Sequence, residues 1–322
     1  MTSSLIWANS RIKSRETKLL TADRLQRLLD CGTVADAVKV LAEFGFCDGT
    51  EANTEKLLLA NRRELINFIK ELNLDEPLVT ALLYRYDFHN AKALMKAKYM
   101  RLNQTDELLL PSVNWDIDKL KENTIGDTYG DYVEAQEAFM TVDEAFASGR
   151  RSPKLIDTTF DKAYFAYAEK LTAKDAYAKH YIEIKEFFVN LSAFLRCKKL
   201  NLDLKQFEEQ YVGTQDGMYE AFKASFEQGI EALLSKLKFT EFGGYVDAVI
   251  EMELSAVEKH ADDTLIKYLK EKQNALFTGA VAAGYVVARE QEQNAVGLIL
   301  TGLKNNVDKS VIRARLRVSY GG

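Results

Sequence analysis

The sequence is poor in the residues that force turns and in those that bind metal ions. Among 322 residues there are only 3 Pro, 17 Gly, 3 Cys and 3 His. Few positions therefore impose a break, and long stretches are rich in Ala, Leu, Glu and Lys, which favour helix. The sequence predicts an all-α protein, long enough for about two average domains and a sizeable core.

The charge balance and the cysteines exclude further classes of protein. A formal net charge of −5 provides no general basic surface for phosphate backbones, so we expect no nucleic-acid partner. Cys31, Cys47 and Cys197 form no closely spaced pair, which favours a reducing compartment over a disulfide framework. The first residues, MTSSLIWANSRIKSRE, lack the apolar core of a signal peptide, so secretion is not expected.

Long hydrophobic runs are absent as well. The most apolar stretch, FTGAVAAGYVVA at 277–288, is about half as long as a membrane-spanning helix requires. Its small residues predict a buried helix that neighbouring segments approach closely. A protein with this sequence can lie beside a membrane without entering it.

No motif for catalysis or metal binding is complete. The segment GLILTGLK at 297–304 resembles a phosphate loop, but Lys304 is displaced by one position and Asn305 stands where a hydroxyl is required. The three histidines lie far apart, without the paired Glu-x-x-His motifs of a di-iron bundle. We therefore expect no catalytic residue, cofactor or metal, although scattered carboxylates leave a helical enzyme open as an alternative.

The chain does contain a recurrence. Asn90, Asn190 and Asn294 are separated by 100 and 104 residues, and a basic residue precedes each by five positions. Apolar residues one, four and five positions after each asparagine lie on one helical face. Because a buried amide must find hydrogen-bond partners, the recurrence predicts that the three asparagines share a structural role, such as bonding to a neighbouring helix or loop.

The segments before each asparagine also correspond. Each third is predicted as a short helix, a turn, two further helices and then the asparagine-bearing helix. The approximate repeats are 19–110, 111–212 and 213–310, with polar breaks at 102–118 and 201–217 that are too short for flexible linkers. The pattern predicts one body of three similar helical parts, typical of a scaffold, an adaptor or a mechanical connector.

The order of these segments resembles the C subunit of the bacterial and archaeal V-type (A-type) rotary ATPases, a relative of the d subunit of eukaryotic V-ATPases. The resemblance covers essentially the whole chain. It is carried by YRYDFHNAKALMKAK, YIEIKEFFVNLSAFLRCKK and YVVAREQEQNAVGLILTGLKNNV, by the early RIKSRETKLLTADRLQRLLD and by IRARLR at 312–317. The third segment departs from the others, because Gly302 stands where they have Lys98 and Lys198.

The resemblance implies a three-part helical funnel with pseudo-threefold symmetry and a mechanical, non-catalytic role. Such a protein joins the central shaft of the soluble ATPase head, made of D and F type subunits, to the membrane rotor ring. The resemblance implies that the protein couples ATP hydrolysis to H⁺ or Na⁺ transport, or ion flow to ATP synthesis in the reverse direction. It also implies a location at the cytoplasmic face of the membrane. Arg313, Arg315 and Arg317 are candidate partner contacts, and the alternative is that they lie on a solvated helix surface. For the whole chain, the alternative function is a general helical adaptor outside a rotary machine.

Overall fold

The computed structural model describes residues 2–51, 53–101 and 106–321, and within these ranges it contains helices and no β-strand. The all-α prediction is confirmed. The α-helices are α1 (Thr2–Glu16), α2 (Ala22–Asp30), α3 (Val34–Glu43), α4 (Thr54–Leu72), α5 (Pro77–Met100), α6 (Ile117–Ile125), α7 (Gln136–Ala147), α8 (Pro153–Thr172), α9 (Ala176–Lys199), α10 (Leu204–Glu208), α11 (Gly217–Ser225), α12 (Ile230–Leu237), α13 (Glu241–Val249), α14 (Leu254–Glu271), α15 (Ala280–Lys304) and α16 (Lys309–Arg315).

The helix order recurs as the sequence predicts. Two short helices, a longer helix and a long asparagine-bearing helix follow one another in α2–α5, in α6–α9 and in α12–α15. The three asparagine-bearing helices have 24, 24 and 25 residues. The repeat boundaries and the threefold symmetry stay predictions, and residues 102–105 of the first break lie outside the described ranges.

Local sequence signals explain where many helices begin and end. The side chains of Asn53, Asp116 and Asp175 accept hydrogen bonds from backbone N–H groups in the first turns of α4, α6 and α9. Such caps satisfy donors that have no partner within the helix. Asn73 ends α4 in the left-handed conformation, with φ at 47°, which asparagine adopts more readily than most residues.

The chain divides into two compact units, the first formed by residues 1–82 and 262–322 and the second by residues 83–261. In the first unit, α15 packs against the amino-terminal helices. Leucines of α2 and α3, Phe46, and Val296, Ile299 and Leu300 of α15 form one buried apolar cluster, which Ile312 of α16 completes. Residues from the start and the end of the chain therefore share this core.

The core of the second unit is aromatic. Phe194 of α9 packs edge-on against Phe207 and Phe226, with ring centroids 5.9 and 5.7 Å apart. Trp115 contacts Phe88 of α5 in a tilted arrangement and Tyr132 edge-on, with ring centroids 5.3 and 5.2 Å apart. Aromatic pairs at these separations stabilise beyond the burial of their area, so this unit is held by large interlocking rings.

Most of the apolar run at 277–288 forms the start of α15, as predicted, but the helix begins at Ala280, and Phe277 lies before it and is exposed. Residues 280–288 are all buried. A Cβ atom on Gly284 would lie 2.5 Å from the hydroxyl of Tyr320, so the missing side chain is what lets the carboxyl-terminal segment pack against this helix. No helix in the described ranges combines the length and the hydropathy needed to cross a membrane.

Candidate functional site

The phosphate-loop-like segment and the histidines do not form a catalytic or metal site in the described ranges. Residues 297–304 form continuous helix within α15, so their N–H groups bond along the helix rather than forming a phosphate cradle. His180 lies between two carboxylates, with Nδ1 3.2 Å from Glu183 and Nε2 3.1 Å from Glu241. Across the described ranges, no group of three or more His, Cys, Asp or Glu is arranged to hold a metal ion.

Two of the three recurrent asparagines make the same pair of hydrogen bonds. Asn90 is fully buried; its Nδ2 donates to the carbonyl of Leu110 at 2.9 Å and its Oδ1 accepts from the N–H of Leu110 at 2.8 Å. Asn190 is 1% exposed and binds Val212 in the same way, at 2.9 Å for both bonds. Each asparagine therefore fixes the segment that leads into the following helices.

The third asparagine lies elsewhere on its helix. Asn294 is exposed, whereas Glu292 and Gln293 are buried. Glu292 Oε1 accepts a hydrogen bond from the backbone N–H of Leu20, just before α2. In α15 the side chain that binds a connecting segment is therefore the carboxylate of Glu292. It lies two positions before Asn294, the residue that aligns with Asn90 and Asn190. The described contacts therefore give the paired bonds to Asn90 and Asn190, whereas the side chain of Asn294 is exposed.

Glu292 belongs to a buried polar network in the first unit. Arg289 Nη1 donates to Glu292 Oε2 at 2.6 Å, and Arg289 Nη2 donates to Asn61 Oδ1 at 3.0 Å. Gln293 Nε2 donates to the same Asn61 oxygen at 2.8 Å, and Asn61 Nδ2 donates to the carbonyl of Phe46. Burial raises the pKa of Glu292, and the positive charge of Arg289 opposes that rise.

Sequence reasoning missed this network. The recurrence around the asparagines includes Arg289 only as the basic residue five positions before Asn294, and it does not include Glu292. One signal was available, because Arg289 and Glu292 are three positions apart in a polar stretch, residues 289–294, that interrupts the apolar sequence of α15. Charged residues at that spacing on a buried helix are expected to pair.

The basic residues near the start of the chain are mostly engaged within the protein. Arg11 pairs with Glu71 at 3.2 Å, and Lys13 pairs with Glu16 at 2.6 Å. Arg15 pairs with Glu64, and its guanidinium lies 3.7 Å from the ring centroid of Phe68. These contacts favour a role in packing α1 over a free docking surface.

The three arginines near the end of the chain differ in their surroundings. Arg317 Nε donates to Asp262 Oδ2 at 2.8 Å, so this guanidinium holds the final segment in place. Arg313 is exposed and donates to Gln26 Oε1 at 3.2 Å. Arg315 is exposed, and its side chain has no partner in the part of the chain that the structure describes. Of the three, Arg313 and Arg315 therefore present charge to solvent.

Comparison with known proteins finds similarity along nearly the whole chain. The family model described as ATP synthase (C/AC39) subunit matches residues 8–315. The C subunit of the V-type sodium ATPase of Enterococcus hirae is 21% identical over 329 residues, covering 97% of this chain and 98% of that protein. The C subunit of the A-type ATP synthase of Methanocaldococcus jannaschii is 23% identical over 343 residues, covering 96% of this chain and 85% of that protein.

Proposed function

The chain belongs to the ATP synthase (C/AC39) subunit family, and on this basis we propose that it is the central-stalk connector of a rotary V/A-type ATPase. In this role it joins the rotating shaft of the soluble ATPase head to the membrane rotor ring. Torque from ATP hydrolysis then passes through it to drive H⁺ or Na⁺ transport, and ion flow in the opposite direction drives ATP synthesis.

The extent of the family match is the observation that carries this proposal. The match runs from residue 8 to residue 315, and the two relatives, one named for a sodium ATPase and the other for an ATP synthase, are both C subunits. The similarity therefore covers the body of the protein rather than one module within it. No observation favours a general adaptor outside such a complex.

The packing of each unit suits a part that transmits force. Protein cores are packed as densely as organic crystals and transmit strain with little compression. In the first unit, α15 lies against helices from the start of the chain and carries the buried network of Arg289 and Glu292. In the second unit, Asn90 and Asn190 fix the connecting segments to the long helices. These features support a stiff, non-catalytic role.

The exposed arginines of α16 are the proposed partner contacts. Arg313 and Arg315 present their charges to solvent, whereas Arg317 is held by Asp262. Exposed charges at the edge of an interface mainly set the association rate and the orientation of approach. We assign Arg313 and Arg315 to contact with an acidic surface of the shaft or the ring, and Arg317 to the fold of the chain.

The proposed location is the cytoplasmic face of the membrane, where the protein is held by contacts with its partners. A binding experiment tests the role and the location together. The purified chain is mixed separately with the D and F type shaft subunits and with the detergent-solubilised rotor ring from the same organism. The proposal expects stable binding to both, and failure to bind either one contradicts a connector.

A further inference from the structure

Two different side chains bind the two backbone groups of Leu20. Glu292 Oε1 accepts a hydrogen bond from the Leu20 N–H, and Ser319 Oγ donates to the Leu20 carbonyl at 2.7 Å. Glu292 lies in α15, whereas Ser319 lies in the segment that follows α16. The end of the chain therefore helps to complete at Leu20 the pair of bonds that Asn90 and Asn190 each make alone.

Residues 317–321, which we call the carboxyl-terminal strap, are held to α14 by acidic side chains. Asp262 Oδ2 accepts a hydrogen bond from Arg317 Nε at 2.8 Å, and Asp263 Oδ1 accepts one from the N–H of Val318 at 2.7 Å. Among the described residues, no hydrogen bond between two backbone groups joins the strap to a helix. The strap can therefore leave its place without breaking the hydrogen bonds of any helix.

Close contacts with the connection between α1 and α2 give the closed strap a defined position. A Cβ atom on Gly321 would lie 3.0 Å from the Cβ of Leu19, so the missing side chain lets the strap reach this connection. Ser319 binds Leu20 next to it. Leu20 is 1% exposed, so the closed strap covers a connection to which water has little access.

The closed strap nevertheless fits its place incompletely. Tyr320 is 5% exposed, and its hydroxyl has no hydrogen-bond partner in the part of the chain that the structure describes. Gln291 Oε1 on α15 is also buried without a partner. Both residues line a cavity of about 20 Å³ beneath the strap. Unpaired buried atoms are costly and voids lose packing contacts, so these features oppose closure.

We propose that the carboxyl-terminal strap opens and closes while the helices stay folded, and that its closure locks the connection between α1 and α2. With the strap closed, Ser319 and Glu292 together hold Leu20. With the strap open, Glu292 alone holds it, and water reaches the groups that closure leaves unpaired. All these contacts lie within the first unit, and the inference does not depend on the role proposed for the whole chain.

Hydrogen exchange of the full chain measures the opening directly. The N–H of Val318 exchanges when Asp263 releases it, whereas the N–H groups in the middle of α15 exchange only when that helix unfolds. After correction for intrinsic rates, we expect Val318 to exchange about 100-fold faster than residues 286–296. Equal protection would show that the strap opens only when the whole unit unfolds, and this result would overturn the proposal.

Two variants test whether the strap locks the connection. Ser319→Ala removes the donor to the Leu20 carbonyl, and a variant that ends at Leu316 removes the strap. We expect exchange at Leu20 to rise about threefold in the first variant and about tenfold or more in the second. The matched change Ser235→Ala alters an exposed serine of α12 and should have no effect.

Circular dichroism of each variant separates a releasable strap from a part of the core. The variant that ends at Leu316 should keep the helix content of the full chain. Loss of that helix content would show that the strap is required for folding and would overturn the proposal. Unchanged exchange at Leu20 in either variant would overturn it as well, because closure would then lock nothing at that position.

Discussion

The side-chain amide of Asn190 binds both backbone groups of Val212. Nδ2 donates to the carbonyl and Oδ1 accepts from the N–H, each at 2.9 Å. Val212 is only 3% exposed, so water has little access to either group. Asn90 binds Leu110 in the same manner. In both cases an asparagine side chain in a long helix provides the hydrogen-bond partners for a backbone N–H and a backbone carbonyl of the connecting segment.

Replacing Asn190 should destabilise the protein strongly. Asn190→Leu keeps a similar volume but leaves a buried N–H and a buried carbonyl unpaired, and each costs about 1–3 kcal/mol. We expect the free energy of unfolding in urea to fall by about 3 kcal/mol, and Asn90→Leu to behave similarly. Asn294→Leu changes an exposed residue and should alter stability by less than about 0.5 kcal/mol. Equal effects at the three positions would contradict this account.

The Arg289–Glu292 pair provides a second test of stability. Removing one partner of a buried ion pair costs about 3–5 kcal/mol, because the other charge is left uncompensated. Arg289→Met should therefore lower the free energy of unfolding by about that amount. Adding Glu292→Gln removes the stranded charge and keeps an acceptor for the Leu20 N–H, so the double variant should be more stable than Arg289→Met. A double-mutant cycle measures the difference, and a double variant less stable than Arg289→Met would falsify the pairing.

Helix periodicity explains why much of the fold could be predicted from the sequence. The positions of apolar residues before and after Asn90 and Asn190 specify one buried face, and the structure buries that face. The small residues at 280–288 likewise predicted close packing, which Gly284 makes against Tyr320. These are local patterns, and local patterns are what periodicity reports.

Contacts between distant residues could not be predicted in the same way. Glu292 binds Leu20 from 272 positions away, and no spacing within α15 indicates that partner. Asn294 has the same residue type as Asn90 and Asn190, and the sequence therefore aligns it with them. In the structure the buried residue that binds the backbone is Glu292, two positions earlier. A cavity beside Glu186 is built from α8, α9 and the segment before α11, so its carboxylates resemble surface charges until the helices are assembled.

Stability should also depend on pH through Glu186. Burial and the negative charge of Glu169 raise the pKa of Glu186 in the folded protein to about 9, well above the ordinary value of 4.5. Between these values the folded state holds a proton that the unfolded state has released, so stability falls as pH rises across this window. Thermal unfolding should show Glu186→Gln gaining stability relative to wild type between about pH 5 and pH 9. A difference that stays constant with pH would contradict the raised pKa.

Charge reversal should separate the arginines of the carboxyl-terminal segment. The double variant Arg313→Glu and Arg315→Glu changes exposed side chains, so the fold should be retained while binding to an acidic partner surface weakens. Arg317→Glu breaks the contact with Asp262 and should lower the melting temperature instead. Circular dichroism monitors the fold, and separate titrations with the shaft proteins and the ring measure binding. Normal binding of the double variant to both partners would remove α16 from the interface.

The coupling of ATP hydrolysis to ion transport tests the central claim most directly. Membrane vesicles are prepared with the complete complex and with a complex lacking only this protein, and both activities are measured in each. If the chain is the connector, removal should leave ATP hydrolysis by the soluble head detectable while ion transport falls to background, and adding the purified chain should restore transport. Ion transport at the full rate without this protein would contradict the account.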